Sequence, residues 1–197
     1  MASLGYLWKQ RASFPFGSKQ FLKVWAKRLL SMPELLSRNA RRSKLVRKGA
    51  HIDETAEIGL VMVEGDKSFL TIGKFSFLGR VYIALHTEVT IGEKVCINDN
   101  VEILTASHDV SDPHWNHIKK KVVIDDYAWI GTGAMILPGV HIGRGAVVAA
   151  RAVVSKSVPA GSIVAGNPAQ PLSKQRVQNL DYNPCEFLAA NRAWLIG

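Results

Sequence analysis

The chain has 197 residues, 47% hydrophobic and 21% charged, with a net charge of +9, enough to bury a core as one domain with terminal appendages. Its apolar stretches fall short of the roughly 18 residues a membrane span needs, and the start MASLGYLWKQRASF has no secretory apolar region with a small-residue cleavage site, so the reading is a cytoplasmic protein. Charge is uneven: residues 1–50 hold twelve Lys+Arg and one acid, Glu34, net +11, and the rest of the chain is net −2.

The basic segment 1–50 reads as helical. Leu22, Trp25, Leu29, Met32 and Leu36 follow three-four spacing, with Lys19, Lys23, Lys27 and Arg28 mostly off that stripe. This predicts an amphipathic helix over 18–36, interrupted or restarted by Pro33. Two readings stand side by side: a cap on whatever follows, or an interfacial helix making a peripheral membrane contact through residues 18–36 with anionic lipid. No nucleic-acid partner is expected.

From residue 51 to 165 the chain repeats itself. Aliphatics recur every six positions at Ile124, Ile130, Ile136, Ile142, Val148 and Val154, and earlier in shorter runs at Ile52 and Ile58, Ile72 and Leu78, and Ile91, Ile97 and Ile103. No helix has that period. Four residues after each aliphatic stands a small or medium residue: Ala128, Ala134, Val140, Ala146, Ala152 and Val158, with Ser76, Val95, Val101 and Ser107 earlier; Tyr82 breaks the pattern. Glycine follows the aliphatic at 59, 73, 79, 92, 131 and 143, as at a corner needing unusual backbone angles. Each hexapeptide is a short strand and a corner, and three make a triangular coil that stacks on the next as parallel strands. The fold class is mainly β, a parallel β-helix with an N-terminal amphipathic helical segment and a short C-terminal helix.

The pattern stops at His108 and resumes at Ile124, leaving an excursion loop at 109–123. Such departures from a rigid scaffold commonly carry function. Past Gly166 the repeat ends; Leu172 to Leu180 is read as the short helix and 166–197 as helix and tail, the aromatics Phe187 and Trp194 packing over the last coil or a neighbour. Cys96 and Cys185 sit in no ligand or CxxC spacing and read as free thiols.

The string W-I-G-x-G-A-x-I-L-P-G-V-x-I-G from Trp129 to Gly143, with V-V-S-K at 153–156 and G-N-P-A at 166–169, resembles the hexapeptide-repeat O-acetyltransferases, the group holding the maltose, galactoside and polysaccharide-sugar enzymes. The resemblance is strong over 85–173 and weaker over 50–84. It implies a left-handed coil, a homotrimer with active sites between neighbours, acetyl-CoA as acyl donor and a sugar or glycan acceptor, with no metal.

Acyl transfer from a thioester to a hydroxyl needs a base and an oxyanion donor. A neutral imidazole suits the first task, and His108, at the mouth of the excursion, matches the family's catalytic histidine. The resemblance further implies that the acetyl carbonyl lies near the N–H of Thr132, that Trp129 packs beside the pantetheine or the adjoining wall, and that the coenzyme runs past Ala150 toward Ser155 and Lys156. Acceptor contacts do not carry over, because the family's Asn and Asp fall at Leu78 and His86; His86, Asn98 and Asp109 are the candidates near His108. Three alternatives remain: an N-acetyltransferase of a nucleotide-linked amino sugar, a non-catalytic repeat scaffold, and a γ-carbonic-anhydrase-like metalloenzyme recruiting His86, His108, His114 and His117, although no H-x4-H pair exists.

Overall fold

The computed structural model describes residues 2–197. Its body is a parallel β-helix of three walls. The first wall stacks His51–Ile52, Leu70–Ile72, Val89–Ile91, Val122–Ile124 and His141–Ile142. The second stacks Glu57–Ile58, Phe77–Leu78, Cys96–Ile97, Trp129–Ile130, Val147–Val148 and Ser162–Ala165, and the third Val61–Gly65, Val81–Leu85, Val101–Leu104, Met135–Ile136 and Val153–Val154.

The six-residue period produces this because each repeat aliphatic faces inward and lands on its counterpart one coil away. Ile91 is in register with Ile72 and Ile124, Ile130 with Ile97 and Val148, and Ile136 with Ile103 and Val154. All are essentially excluded from solvent, as are the small residues Ala128, Ala134, Ala146 and Ala152 where walls converge. Each buried isoleucine contributes about 1.5–3 kcal/mol, and the interior is one continuous apolar column. Ser107 departs from the expectation: it is exposed, because the chain has already left the coil there.

The corner glycines also have a different reason from the predicted one. None of Gly59, Gly73, Gly79, Gly92, Gly131 and Gly143 has positive φ. A Cβ on Gly131 would lie 2.6 Å from the backbone N of Ala150, and one on Gly143 2.5 Å from that of Ala160. Glycine is needed there because backbones of successive coils touch. The left-handed residues follow two positions later, at Tyr127, Gly133, Gly145 and Arg151 among others.

Both ends are capped. Helix α1 spans Leu4–Lys9, and α2 runs unbroken over Lys19–Arg47, with Ser18 Oγ accepting from the Phe21 N–H. Pro33 does not interrupt it: the carbonyl it deprives of a partner belongs to Leu29, on the solvent side, where water can bond it. The predicted apolar stripe is split: Trp25 and Met32 are half-buried, whereas Leu22, Leu29 and Leu36 are exposed. α2 buries Val24, Arg28, Leu35, Asn39, Arg42 and Leu45. Arg42 donates to the carbonyls of Ile52 (2.8 Å) and Ala56 (3.2 Å), closing the open first coil. Arg28 donates to those of Ala12, Ala193 and Trp194. At the other end, the helix expected over Leu172 to Leu180 is absent. Gln170–Gln175 instead pairs antiparallel with Ser162–Ala165, satisfying that strand's free edge, and the short helix α3 lies at Ala189–Leu195, packed on α2 through Trp194.

Candidate active site

The coil is left at the edge between third and first walls. Thr105 is wholly buried there; its hydroxyl donates to the Ala84 carbonyl (2.6 Å) and accepts from the His86 N–H (2.8 Å). Anchored by it, Ala106–His108 turns outward and pairs antiparallel with His117–Lys119, so that His108 faces His117 directly. The excursion is therefore a two-stranded ribbon with a tight tip. Asp109 and Asp112 tie that tip together by accepting from the N–H groups of Ser111 (2.9 Å) and His114 (2.9 Å).

His108 is half-buried, and its Nδ1 lies 2.7 Å from the Trp115 carbonyl. A carbonyl only accepts, so Nδ1 carries the proton and Nε2 presents a lone pair. The ring is held between Trp115 and His117, at centroid distances of 4.9 and 4.5 Å, and the His86 ring lies 5.5 Å beyond that of His117. Among the described residues no group of three or more His, Cys, Asp or Glu is placed to hold a metal ion; the three imidazoles follow one another in a row, tilted at 50° and edge-on at 77°.

Desolvation, with the neighbouring His108 and His86 rings adding to it, pulls the His117 pKa below the ordinary imidazole value of 6.5. His117 is therefore neutral at pH 7. Between 6.5 and the lowered value the unfolded chain binds the proton first, so the ribbon loses stability as pH falls through that window and is unaffected above it. The protection factors of the Ala106–His108 amides, with the intrinsic pH dependence of exchange divided out, should fall on acidification through this range, and His117→Gln should remove the effect; an unchanged profile in the variant would contradict the assignment.

The other candidates divide between two edges of the prism. With His108 at the third–first edge are His86, one coil below, Asp109 at the root of the tip, and the exposed Ser155 and Lys156, two coils above. At the second–third edge are Thr132 and Ala150, stacked on successive coils, the Arg151 N–H donating to the Thr132 carbonyl at 2.9 Å. The N–H groups of Thr132 and Ala150 have no hydrogen-bond partner among the described residues, and both residues are exposed. Asn98 belongs to this second group. The sequence places it near His108; within one copy its N–H donates to the Ile130 carbonyl at the second–third edge, because it follows a second-wall strand. His51 and His141 face outward; His141 Nε2 is 2.7 Å from Asp125 on the surface.

Trp129 stands half-exposed on the second wall at the rim of an apolar cleft of about 440 Å³, which Phe77, Cys96, Asn98, Tyr182 and Phe187 also line. Burial pushes the Cys96 thiol up to about 11. Its thiolate fraction at pH 7 is then on the order of 1 in 10⁴, too small for a covalent acyl carrier. Iodoacetamide should label Cys96 of the folded protein far more slowly than free cysteine, as read by mass spectrometry; rapid labelling would contradict this. Cys185 is buried and likewise shifted upward.

Trp115 and Thr105 carry no sign of these roles in the sequence, and His117 stands out there only as one more loop histidine. A carbonyl that fixes a tautomer leaves no residue-type signal, whereas the pairing of His108 with His117 was available from a hairpin register centred on the Asp-Pro tip.

Residues 121–156 match the family described as bacterial transferase hexapeptide (six repeats). The chain is 38% identical over 102 residues, 51% of this chain and 56% of the relative, to WcaF of Escherichia coli (strain K12), by name a colanic acid biosynthesis acetyltransferase. It is 33% identical over 99 residues, 49% of this chain and 47% of the relative, to the galactoside O-acetyltransferase of Lactococcus lactis. The chain spans about half the length of the curated relatives it matches. Among solved structures it superposes, with a TM-score of 0.65 and 28% identity, on the hexapeptide-repeat acetyltransferase VCA0836 of Vibrio cholerae complexed with acetyl-CoA, over 90% of this chain and 100% of that one.

Proposed function

We propose that this chain, which has the fold of the hexapeptide-repeat acetyltransferase it superposes on, transfers an acetyl group from acetyl-CoA to a hydroxyl of a sugar or glycan precursor. The observation that carries the proposal is the hydrogen bond from His108 Nδ1 to the Trp115 carbonyl, which leaves Nε2 as an oriented base. In the reaction Nε2 takes the proton of the acceptor hydroxyl while its oxygen attacks the thioester carbon. The tetrahedral oxyanion is met by the free N–H of Thr132. As the C–S bond breaks, the imidazolium returns its proton to the departing thiolate.

One copy cannot perform this alone, since the base and the amides stand on different edges of its prism. We propose a closed ring of copies, a homotrimer, in which the third–first edge of one meets the second–third edge of the next. In that seam the pantetheine amides pair with Ala150 beside Trp129, the Thr132 N–H staying free for the oxyanion, and Ser155 and Lys156 of the other copy take the phosphate end. The Trp129 cleft, with Asn98 at its rim, gives an apolar platform and one amide group for the acceptor; His86 and Asp109 approach it from the neighbouring edge.

Incubation with acetyl-CoA and a panel of sugars, nucleotide sugars and lipid-linked glycans, following thiol release, tests the assignment. Acceptor-dependent release supports it, and release with amino sugars alone would shift the acceptor to nitrogen. Lys156→Ala should raise KM for acetyl-CoA about tenfold with kcat little changed, the signature of lost ground-state binding. An unaltered KM would remove Lys156 from the phosphate site.

A further inference from the structure

The leucine stripe of α2 lies on the face turned away from the β-helix. Leu22, Leu29, Leu30 and Leu36 are 61, 63, 83 and 52% exposed, and with Ala26, Pro33 and Ala40, all exposed, they make one uninterrupted apolar strip. The buried face, by contrast, contains Arg28, Asn39 and Arg42. An amphipathic helix that needed only to cap the coil would be arranged the other way round, leucines in and arginines out.

Charge borders the strip. Lys19, Lys23, Lys27, Lys44 and Arg47 are exposed along the same helix, and Glu34 is the one acid within residues 1–50, which carry net +11. Phe16 (92% exposed) and Trp8 (53%) are further exposed aromatics of the same N-terminal segment. Among the described residues no helix is long and apolar enough to cross a membrane.

We infer that the outward face of α2, Leu22–Leu29–Leu30–Leu36 flanked by its lysines, docks on an anionic phospholipid surface. The 29-residue helix is about 43 Å long, long enough to lay four leucines into the interfacial layer while its lysines reach the headgroup phosphates. A second copy is a poorer occupant, because packing this face on its own symmetry mate brings two +11 segments together. The inference is independent of the acyl-transfer reading, and its test measures no turnover.

Flotation of the full-length protein with vesicles of equal parts phosphatidylglycerol and phosphatidylcholine, against phosphatidylcholine alone, reads the docking directly. The expected result is binding at least about tenfold stronger to the anionic vesicles, lost at high salt. Leu29→Gln/Leu30→Gln and, separately, Lys23→Gln/Lys27→Gln should each reduce that binding about tenfold with unchanged mass by light scattering and unchanged melting. Both pairs are exposed, so neither should impair folding. Failure of the wild-type protein to float with anionic vesicles at low salt overturns the inference. So does a leucine variant that lowers the particle mass, which would assign the face to a neighbouring copy.

Discussion

Replacing His108 with alanine should lower kcat by about 10²- to 10⁴-fold, the usual worth of a positioned general base, while leaving the melting temperature within a degree or two of wild type. The side chain is half-buried on a ribbon outside the continuous core, so its loss opens no cavity. The effect should fall on kcat more than on KM for acetyl-CoA, because the imidazole acts on the acceptor's proton and not on the coenzyme's phosphates. His108→Gln keeps a group at the same place but supplies no base of suitable pKa, and should be nearly as slow. Turnover in His108→Ala within threefold of wild type would remove His108 from the chemistry.

The second large effect is on the scaffold. Ile130 is fully buried between Ile97 and Val148 in adjacent coils. Ile130→Ala should destabilise by about 2–5 kcal/mol, the transfer loss plus the cavity left in a column that cannot collapse along its axis. At this chain length that corresponds to about 5–15 °C in Tm. The damage should reach function too, since Ile130 lies between Trp129 and the Gly131–Thr132 corner. A Tm shift below two degrees would mean that the column repacks freely.

What was legible in the sequence was what a local period dictates. Ile124, Ile130, Ile136, Ile142, Val148 and Val154 stack as their six-residue spacing requires, because in a solenoid each long-range contact is a repeated local one. The arrangement of α2 was not legible. Its buried face is partly polar, and Arg42 and Arg28 are accepted inside only because exposed backbone carbonyls at the coil's open end and at α3 await donors. Spacing also suggested a helix over 172–180, where a free strand edge outweighed helix propensity and drew Gln170–Gln175 into a strand. At the site, His108 was readable as a residue at an interruption, but its tautomer was not, since Trp115 acts through its backbone. The edge that Asn98 occupies was hidden for a related reason: nearness in sequence to a coil's end does not say on which edge of the prism a residue stands within one copy.

Mixed assemblies test most directly the claim that chemistry occurs where the His108 edge of one copy meets the Thr132–Ala150 edge of another. His108→Ala removes the base, and Ala150→Glu blocks the coenzyme's path at the other edge, so each variant alone should be inactive. Co-expressed in equal amounts, the two should regain about one quarter of wild-type activity, because in a closed ring one seam in four pairs an intact imidazole with an intact amide edge. Mixed assemblies as inactive as either parent would contradict the account, and so would full activity of Ala150→Glu on its own.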